Sequence, residues 1–321
     1  MHIDLKLGLS CNNACVHCVM EPARKKLERA NRALDSAPEA INRLVDRLLA
    51  QGITSITLTG GEPTLREDFF TLLDRLSREN LSVFAQTNGR RLARAENLAK
   101  LERIPKDNIV FVIAMHSHNR QTHDAITRRE GSFDETVAAI KGLKKLGFKL
   151  CGKMVLSRKN VFDIKDALAL YAELGFDEVV VAYPHAQEFG KKAYLDIAPE
   201  YSLVKTALKE LGANRGIPVY WETIPFCQLP APEFYAASVD LQSLGQKMAG
   251  GAANIEMSVT GERIDWQEKR LEIKRKSAAC GKCLLDKACE GPWEEYIGAY
   301  GESEFVPVED PAVIEAFLER L

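Results

Sequence analysis

Apolar residues along the first 185 positions follow two alternating patterns. Short runs rich in β-branched and apolar residues have the composition of buried strands. Between them, longer segments repeat apolar residues every three or four positions, as amphipathic helices do. The predicted strands are 3–9, 53–59, 81–86, 108–115, 148–156 and 177–182, and the predicted helices between them include 37–51, 69–78, 92–103, 132–146 and 164–174. In the fourth of these helices, Ser132 and Glu135 have the spacing of a capping box.

Six strand–helix repeats predict an α/β fold with a parallel sheet and right-handed crossovers. Six strands are too few for an eight-stranded barrel, so we expect an open, TIM-like partial barrel of the (β/α)6 type. Ligands of such folds bind where the strands end, at their carboxyl edge.

The strand–helix rhythm breaks after residue 200. One more helix is predicted at 201–211, followed by an extended run at 217–221 and a short hairpin over 254–266. We therefore expect two units, a partial barrel over residues 1–200 and a smaller C-terminal domain over residues 201–321.

Composition narrows the classes of partner. The chain has 321 residues, 46% of them hydrophobic and 27% charged, and a formal net charge of −2, so no global basic field indicates a nucleic-acid partner. No apolar run approaches the ~20 residues that cross a bilayer. The sequence begins directly with a strand and has no signal-peptide layout, so we expect a cytoplasmic protein without a separate domain ahead of the barrel. In that compartment eight cysteines favour metal binding or catalysis over disulfides.

Three of the cysteines, Cys11, Cys15 and Cys18, lie within eight residues just after the first predicted strand. Such a loop can close on one metal centre, either an iron–sulfur cluster or zinc, because both take thiolate ligands. Three thiolates on a cubane leave one iron open to a small molecule. By analogy with zinc sites, an open position indicates chemistry and a closed site indicates structure.

The end of the second strand carries a second signal, Gly60-Gly61-Glu62-Pro63. Two glycines at a strand end allow close approach of a ligand, and the carboxylate beside them can take an ammonium group. With the cysteine loop after strand one, this sequence resembles the radical S-adenosylmethionine (radical SAM) superfamily. A non-catalytic metal or redox-sensing module remains an alternative of another class, but it has no need of such a methionine site.

The resemblance implies that S-adenosylmethionine chelates the open iron of a [4Fe–4S] cluster. Reductive cleavage then yields a 5′-deoxyadenosyl radical that abstracts a hydrogen from the substrate. It also implies that Glu62 binds the methionine ammonium beside the backbone of Gly60 and Gly61, and that His17 occupies a position that is usually aromatic and near adenine. An external one-electron donor of the flavodoxin or ferredoxin type is implied as a partner.

A second cysteine group, Cys280, Cys283 and Cys289, has a tight Cys-x2-Cys-x5-Cys spacing, and Cys227 is a candidate fourth ligand. By ligand type, zinc and iron–sulfur fit equally. In context the group resembles the SPASM or shortened twitch domains of radical SAM enzymes, although a full SPASM domain has seven or more cysteines. The resemblance implies one auxiliary [4Fe–4S] cluster.

Other polar residues near predicted strand ends are weaker candidates. Asn88 could reach the cofactor or form an Asn-Gly turn, and Arg128 or Arg129 could pair with the methionine carboxylate or lie at the surface. Cys151, inside a strand, is predicted to be a core residue. The candidates for proton transfer at the substrate are His116, His185 and Lys153, with His123 and Glu222 as further options.

Two stretches, 123–133 and 289–296, resemble peptide-modifying radical maturases. We therefore expect an oxidoreductase or maturase that alters a ribosomally made peptide. The alternative is oxidation or rearrangement of a small metabolite such as a sugar or an alcohol, because similar domains serve small-molecule dehydrogenases.

Overall fold

A computed structural model describes residues 1–185, 191–212, 216–235, 237–238, 254–258 and 263–318. Within these residues, one sheet has the strand order β7-β6-β5-β4-β3-β2-β1-β8-β9. The strands are β1 (His2–Lys6), β2 (Ser55–Thr59), β3 (Ser82–Thr87), β4 (Ile109–Ala114), β5 (Lys149–Val155), β6 (Glu178–Ala182), β7 (Val219–Glu222), β8 (Asn254–Ser258) and β9 (Arg263–Asp265).

Strands β1 to β7 are parallel, each paired with its neighbour in sequence. The α/β partial barrel is thus confirmed, and β7 continues the six predicted parallel strands in the same direction. The extended run at 217–221 supplies β7, which pairs with β6 although it lies beyond the expected boundary near residue 200. The two strands of the predicted hairpin are present as the antiparallel pair β8 and β9, while its predicted turn lies outside the described residues. Strand β8 also pairs in parallel with β1. The division into two domains stays a prediction.

Helices lie between the strands and continue into the C-terminal region. No helix in the described part of the chain is both long and apolar enough to cross a membrane. The helices are α1 (Glu21–Arg29), α2 (Pro38–Ala50), α3 (Phe69–Ser77), α4 (Ala95–Glu102), α5 (Arg120–Thr127), α6 (Ser132–Leu146), α7 (Ile164–Glu173), α8 (Lys191–Ile197), α9 (Tyr201–Leu211), α10 (Pro232–Tyr235), α11 (Trp266–Ile273), α12 (Glu294–Tyr300) and α13 (Pro311–Leu318).

Along the strands, residues alternate between a face that is buried in the hydrophobic core and a face that stays partly accessible. In β2, Ile56 and Leu58 are completely buried in the core, while Ser55, Thr57 and Thr59 between them stay partly accessible. Each buried Ile or Leu contributes about 1.5–3 kcal/mol relative to an exposed one. In β2, the polar residues thus lie on the partly accessible face of the sheet.

The capping box predicted at Ser132 and Glu135 is wrong. Ser132 is already the first residue of α6, and its hydroxyl donates to Asp124 at 2.7 Å rather than to its own helix. The Asp124 carboxylate also accepts two backbone N–H groups at the start of α6. Glu135 forms an ion pair with Arg90. A carboxylate from α5 therefore caps α6, which local spacing cannot show.

Candidate cluster and cofactor site

The loop that carries Cys11, Cys15 and Cys18 crosses the carboxyl edge of the sheet beside the end of β2. The Gly61 N–H donates to the Gly8 carbonyl at 2.8 Å, and the Glu62 N–H donates to the Ser10 carbonyl at 2.7 Å. A Cβ atom on Gly61 would lie closer than 3.0 Å to the Ser10 oxygen. The backbone that approaches this glycine is therefore the cysteine loop itself.

The opposite side of the loop is held by the end of α5. The N–H groups of Ala14 and Val16 donate to the carbonyls of Thr127 and Ile126, at 3.0 and 2.9 Å. These two bonds fix the backbone immediately before and after Cys15. The loop is thus preorganised from two directions.

Arg90, which follows β3, is a third support that the sequence analysis missed. Its guanidinium donates to the Asn12 carbonyl at 2.6 Å and to Asn13 Oδ1 at 2.9 Å. The only sequence signal was a pair of adjacent arginines, Arg90 and Arg91, which also fits an exposed surface.

The three thiols lie close enough to influence one another. Burial raises the pKa of Cys15 to about 12, and the neighbouring Cys18 and Cys11 act in the same direction. Burial also raises the pKa of Cys11. The Cys11 and Cys15 thiols are therefore protonated at neutral pH, and metal binding must release those protons.

Glu62 is 3% exposed and accepts four hydrogen bonds. Its Oε1 accepts from the Thr64 N–H at 3.1 Å, the Thr64 hydroxyl at 2.6 Å and the Thr87 hydroxyl at 2.5 Å. Among the described residues, Oε2 accepts only the Asn88 N–H, at 2.7 Å. Burial raises the pKa of Glu62, and these hydrogen bonds oppose the rise. A carboxylate offers about four acceptor positions, two on each oxygen, so Oε2 keeps room for one more donor. The sequence analysis missed both threonines, although Thr64 stands only two residues after the glutamate.

Asn88 has the turn geometry and also contacts the cysteine loop. Gly89 after it has φ of +77°, and the Asn88 side chain accepts the Arg90 N–H at 3.0 Å. Its Nδ2 donates to Asn12 Oδ1 at 2.7 Å. Asn88 thus joins the end of β3 to the cysteine loop.

Three histidine rings form a row beside Cys15. The His17 and His116 ring centres are 4.6 Å apart, and those of His116 and His123 are 5.8 Å apart. Burial lowers the pKa of His17 and of His123 to about 4, and it lowers the pKa of His116 as well, so all three are neutral at pH 7. One nitrogen each of His17 and His116 and the Cys15 sulfur lie within 4.8 Å of one another. This mixed set could also hold zinc.

The other two candidates for proton transfer lie on neighbouring strands of the sheet. Lys153 on β5 forms an ion pair with Glu222 at the end of β7. His185 follows β6, and its ring centre is 4.4 Å from that of Trp293. Burial lowers the pKa of His185 to about 4. Lys153 and Glu222 both act on the pKa of His185, so the three side chains lie near one another.

Arg128 and Arg129 lie at the end of α5, and both are exposed. Arg128 has φ of +53°, which ends the helix. The structure describes no side-chain partner for Arg129. Cys151 is 5% exposed on β5, as predicted for a core residue.

The second cysteine group converges on one cavity. Two charged residues, Lys276 and Asp286, line this cavity and form an ion pair with each other. Burial raises the pKa of Cys227 to about 12, and the other three thiols act in the same direction. The cysteines that line it are Cys227, Cys280, Cys283 and Cys289.

The parallel partial barrel, the cysteine loop and the buried glutamate define the class of the protein. A family model described as the radical SAM superfamily matches residues 5–171, more than half of the chain. The chain belongs to the radical SAM superfamily. The cofactors of that class, a [4Fe–4S] cluster and S-adenosylmethionine, are those that the sequence implied.

Two curated proteins are similar to part of this chain. Mycofactocin maturase MftC of Mycolicibacterium smegmatis is 32% identical over 171 residues, which are 53% of this chain and 41% of MftC. A probable GTP 3′,8-cyclase of Sulfurisphaera tokodaii is 31% identical over 194 residues, 60% of this chain and 59% of that protein. The matched parts are thus less than two thirds of either relative.

Solved structures agree with the fold. Streptococcus suis SuiB bound to its precursor peptide SuiA superposes with a TM-score of 0.63 at 16% identity, over 97% of this chain and 75% of SuiB. SuiB bound to S-adenosylmethionine superposes with a TM-score of 0.60 at 17% identity, over 97% of this chain and 76% of that chain. At such identities the likeness concerns the fold alone.

Proposed function

We propose that this chain cleaves S-adenosylmethionine reductively and uses the resulting radical to abstract a hydrogen from a substrate. The observation that carries the proposal is the convergence of a three-thiol loop and a buried glutamate with one open acceptor position. The donor set fits a cubane with one open iron, because Cys11, Cys15 and Cys18 supply three thiolates and no more. When bound, the cluster and S-adenosylmethionine supply the electron transfer and the carbon radical.

The chain's own residues bind and orient the cofactor. Glu62 Oε2 accepts the methionine ammonium in the position that its four hydrogen bonds leave open. The Gly60 and Gly61 backbone keeps the cysteine loop against the glutamate. His17, whose buried Nδ1 has no hydrogen-bond partner among the described residues, packs beside adenine. Asn88 completes the cofactor side.

One basic side chain is assigned to the methionine carboxylate. Arg129 remains our candidate for it, because α5 ends directly against the cysteine loop. Arg128 beside it is the alternative.

On the substrate side, we assign His116, Lys153 and His185 to binding and proton transfer. The Lys153–Glu222 pair offers both a donor and an acceptor to a polar group. His116 is neutral, so it can accept a proton as a general base. These roles rest on position at the carboxyl edge of the sheet.

For the C-terminal cavity, we propose an auxiliary [4Fe–4S] cluster of the SPASM or twitch type. Its four cysteines would complete the coordination of all four irons, which favours electron transfer over substrate binding. A structural zinc ion is the alternative, since four thiolates also suit zinc. The ligands in this proposal are Cys227, Cys280, Cys283 and Cys289.

The proposed substrate is a ribosomally made peptide, and the likeness to MftC and SuiB supports this class. A small metabolite is the second candidate, supported by the likeness to a GTP 3′,8-cyclase over 60% of the chain. A flavodoxin- or ferredoxin-like protein would supply the electron. The proposal places the protein in the cytoplasm, and the absence of disulfides among its eight cysteines is consistent with that.

The test is anaerobic reconstitution followed by addition of dithionite and S-adenosylmethionine. We expect 5′-deoxyadenosine from the parent and from Cys151→Ala, but none from Cys15→Ala. Two cubanes predict about eight iron atoms per chain, whereas about four iron atoms and one zinc would identify the C-terminal site as zinc. No cleavage under any reducing condition would favour the redox-sensing module.

The substrate class needs its own assay. Candidate peptides and nucleotides are added in separate reactions, and 5′-deoxyadenosine formation is compared with the uncoupled rate. Stimulation by a peptide, with a mass change in that peptide, supports the maturase. Stimulation by a nucleotide or sugar alone supports the small-metabolite alternative.

A further inference from the structure

Each sulfur of the C-terminal cavity has a hydrogen-bond partner among the described residues. Two of the donors are backbone groups. The Val308 N–H donates to Cys283 Sγ at 3.4 Å, and the Gly291 N–H donates to Cys289 Sγ at 3.4 Å. These two bonds follow from the path of the chain and cannot be changed by substituting a side chain.

The other two donors are side chains. Gln228 Nε2 lies 3.5 Å from Cys227 Sγ, and the Ser277 hydroxyl lies 3.4 Å from Cys280 Sγ. Both distances are within the range for hydrogen bonds to sulfur. All four sulfurs therefore have a hydrogen-bond partner, and the Ser277 hydroxyl must be the donor once Cys280 is a metal-bound thiolate.

Both side chains are buried, and both are directed at the sulfurs. Gln228 is 2% exposed, and its amide also donates to the Glu304 carbonyl at 2.6 Å, which leaves its second hydrogen for Cys227. Ser277 is 6% exposed, and among the described residues the hydrogen-bond partner of its hydroxyl is Cys280 Sγ. Buried polar groups need partners. A thiolate is a much better acceptor than a thiol, so both donors fit a metal-bound sulfur best.

We propose that Gln228 and Ser277 raise the reduction potential of the centre bound by these four cysteines. The inference rests on the proposed auxiliary [4Fe–4S] cluster. Hydrogen bonds to cluster sulfurs are one of the factors that set the potential, because they stabilise the additional negative charge of the reduced state. Both residues are positioning residues, since they act through the cysteines and touch no reacting atom.

The experiment isolates the C-terminal centre in the full chain. Cys11, Cys15 and Cys18 are replaced by alanine together, so that the remaining signal belongs to the second cluster. Potentiometric titration followed by electron paramagnetic resonance then gives its midpoint potential. With Ser277→Ala and Gln228→Met combined, we expect the equilibrium constant for one-electron reduction to fall about tenfold, a shift of about −59 mV.

Matched variants distinguish an effect on the reduction potential from a disturbance of the structure around the cluster. Ser277→Thr keeps the hydroxyl, so we expect it to have the parent potential. Valine has the shape of threonine without the hydroxyl, so we expect a lower potential in Ser277→Val. Ser303→Ala, an exposed serine in the same region, should have no effect. Iron content is measured for every variant.

The outcomes distinguish the two proposals. Suppose that Ser277→Thr and Ser277→Val both hold iron and have equal potentials, and that Gln228→Met has the parent potential. This result would overturn the proposal that Gln228 and Ser277 raise the potential, but not the proposal of an auxiliary cluster. Zinc in place of iron at this site overturns both.

Discussion

The exchange Glu62→Gln keeps the size of a buried side chain and removes its charge. Three of the four donors around this residue point at Oε1, so the glutamine oxygen will take that place. The amide nitrogen then faces the Asn88 N–H, which was 2.7 Å from Oε2. Two N–H groups now point at each other, and the acceptor for the methionine ammonium is lost.

The size of the effect follows from burial. Removing one partner of a buried, hydrogen-bonded charge pair costs about 2–5 kcal/mol. Since each 1.4 kcal/mol is a factor of ten, the Kd for S-adenosylmethionine should rise by roughly 30-fold to several thousand-fold. The unsatisfied Asn88 N–H should also lower the free energy of unfolding by about 1–3 kcal/mol.

The assay is isothermal titration calorimetry of S-adenosylmethionine into the cluster-loaded protein. Glu67→Gln is the matched control, because Glu67 is an exposed glutamate only five residues away, and its Kd should equal that of the parent. A folded, cluster-loaded Glu62→Gln variant with a Kd within about threefold of the parent would refute the assignment of Glu62 to the ammonium, since that is well below the lower bound.

Three further exchanges test the support of the site. Gly61→Ala should lower the free energy of unfolding by about 1–3 kcal/mol in urea titrations, because its Cβ meets a carbonyl oxygen, whereas Gly298→Ala, with open space around its Cβ, should not. Arg90→Ala should speed the loss of iron to a chelator by freeing the cysteine loop, and a parent-like rate would contradict that role. Burial alone would raise the pKa of Glu222, but Lys153 more than offsets it and holds that pKa below the ordinary 4.5. The pair therefore stabilises the fold above pH 4.5 and loses its contribution as the pH falls through the lower pKa. Parent stability should drop in that acid range by more than that of Glu222→Gln, and equal pH profiles would show that the pair does not matter.

The strands and helices of the barrel were predictable because their burial follows a local period. Ile56 and Leu58 on one face of β2, with threonines on the other, are such a pattern. The two cysteine groups were also predictable, because several thiols within one short segment are typical of a metal centre. Cys227 was a candidate fourth ligand from the sequence, and it lines the C-terminal cavity with the other three cysteines.

What the sequence analysis missed depends on contacts between distant residues. Arg90 lies 78 positions from Asn12, whose carbonyl it holds, and nothing near either residue encodes that pairing. The cap of α6 comes from another helix, so the local spacing of Ser132 and Glu135 was misleading. The membership of β7 in the sheet depends on its pairing with β6, because an extended run alone does not reveal its neighbour.

The central claim is that three thiolates hold a cubane whose remaining iron binds S-adenosylmethionine. Mössbauer spectroscopy tests it on ⁵⁷Fe-reconstituted protein in which the C-terminal cysteines are replaced by alanine. On addition of S-adenosylmethionine, we expect the signal of a single iron of the cluster to change while the signals of the other three stay as they were. A spectrum unchanged by the cofactor, or zinc in place of iron at Cys11, Cys15 and Cys18, would contradict it.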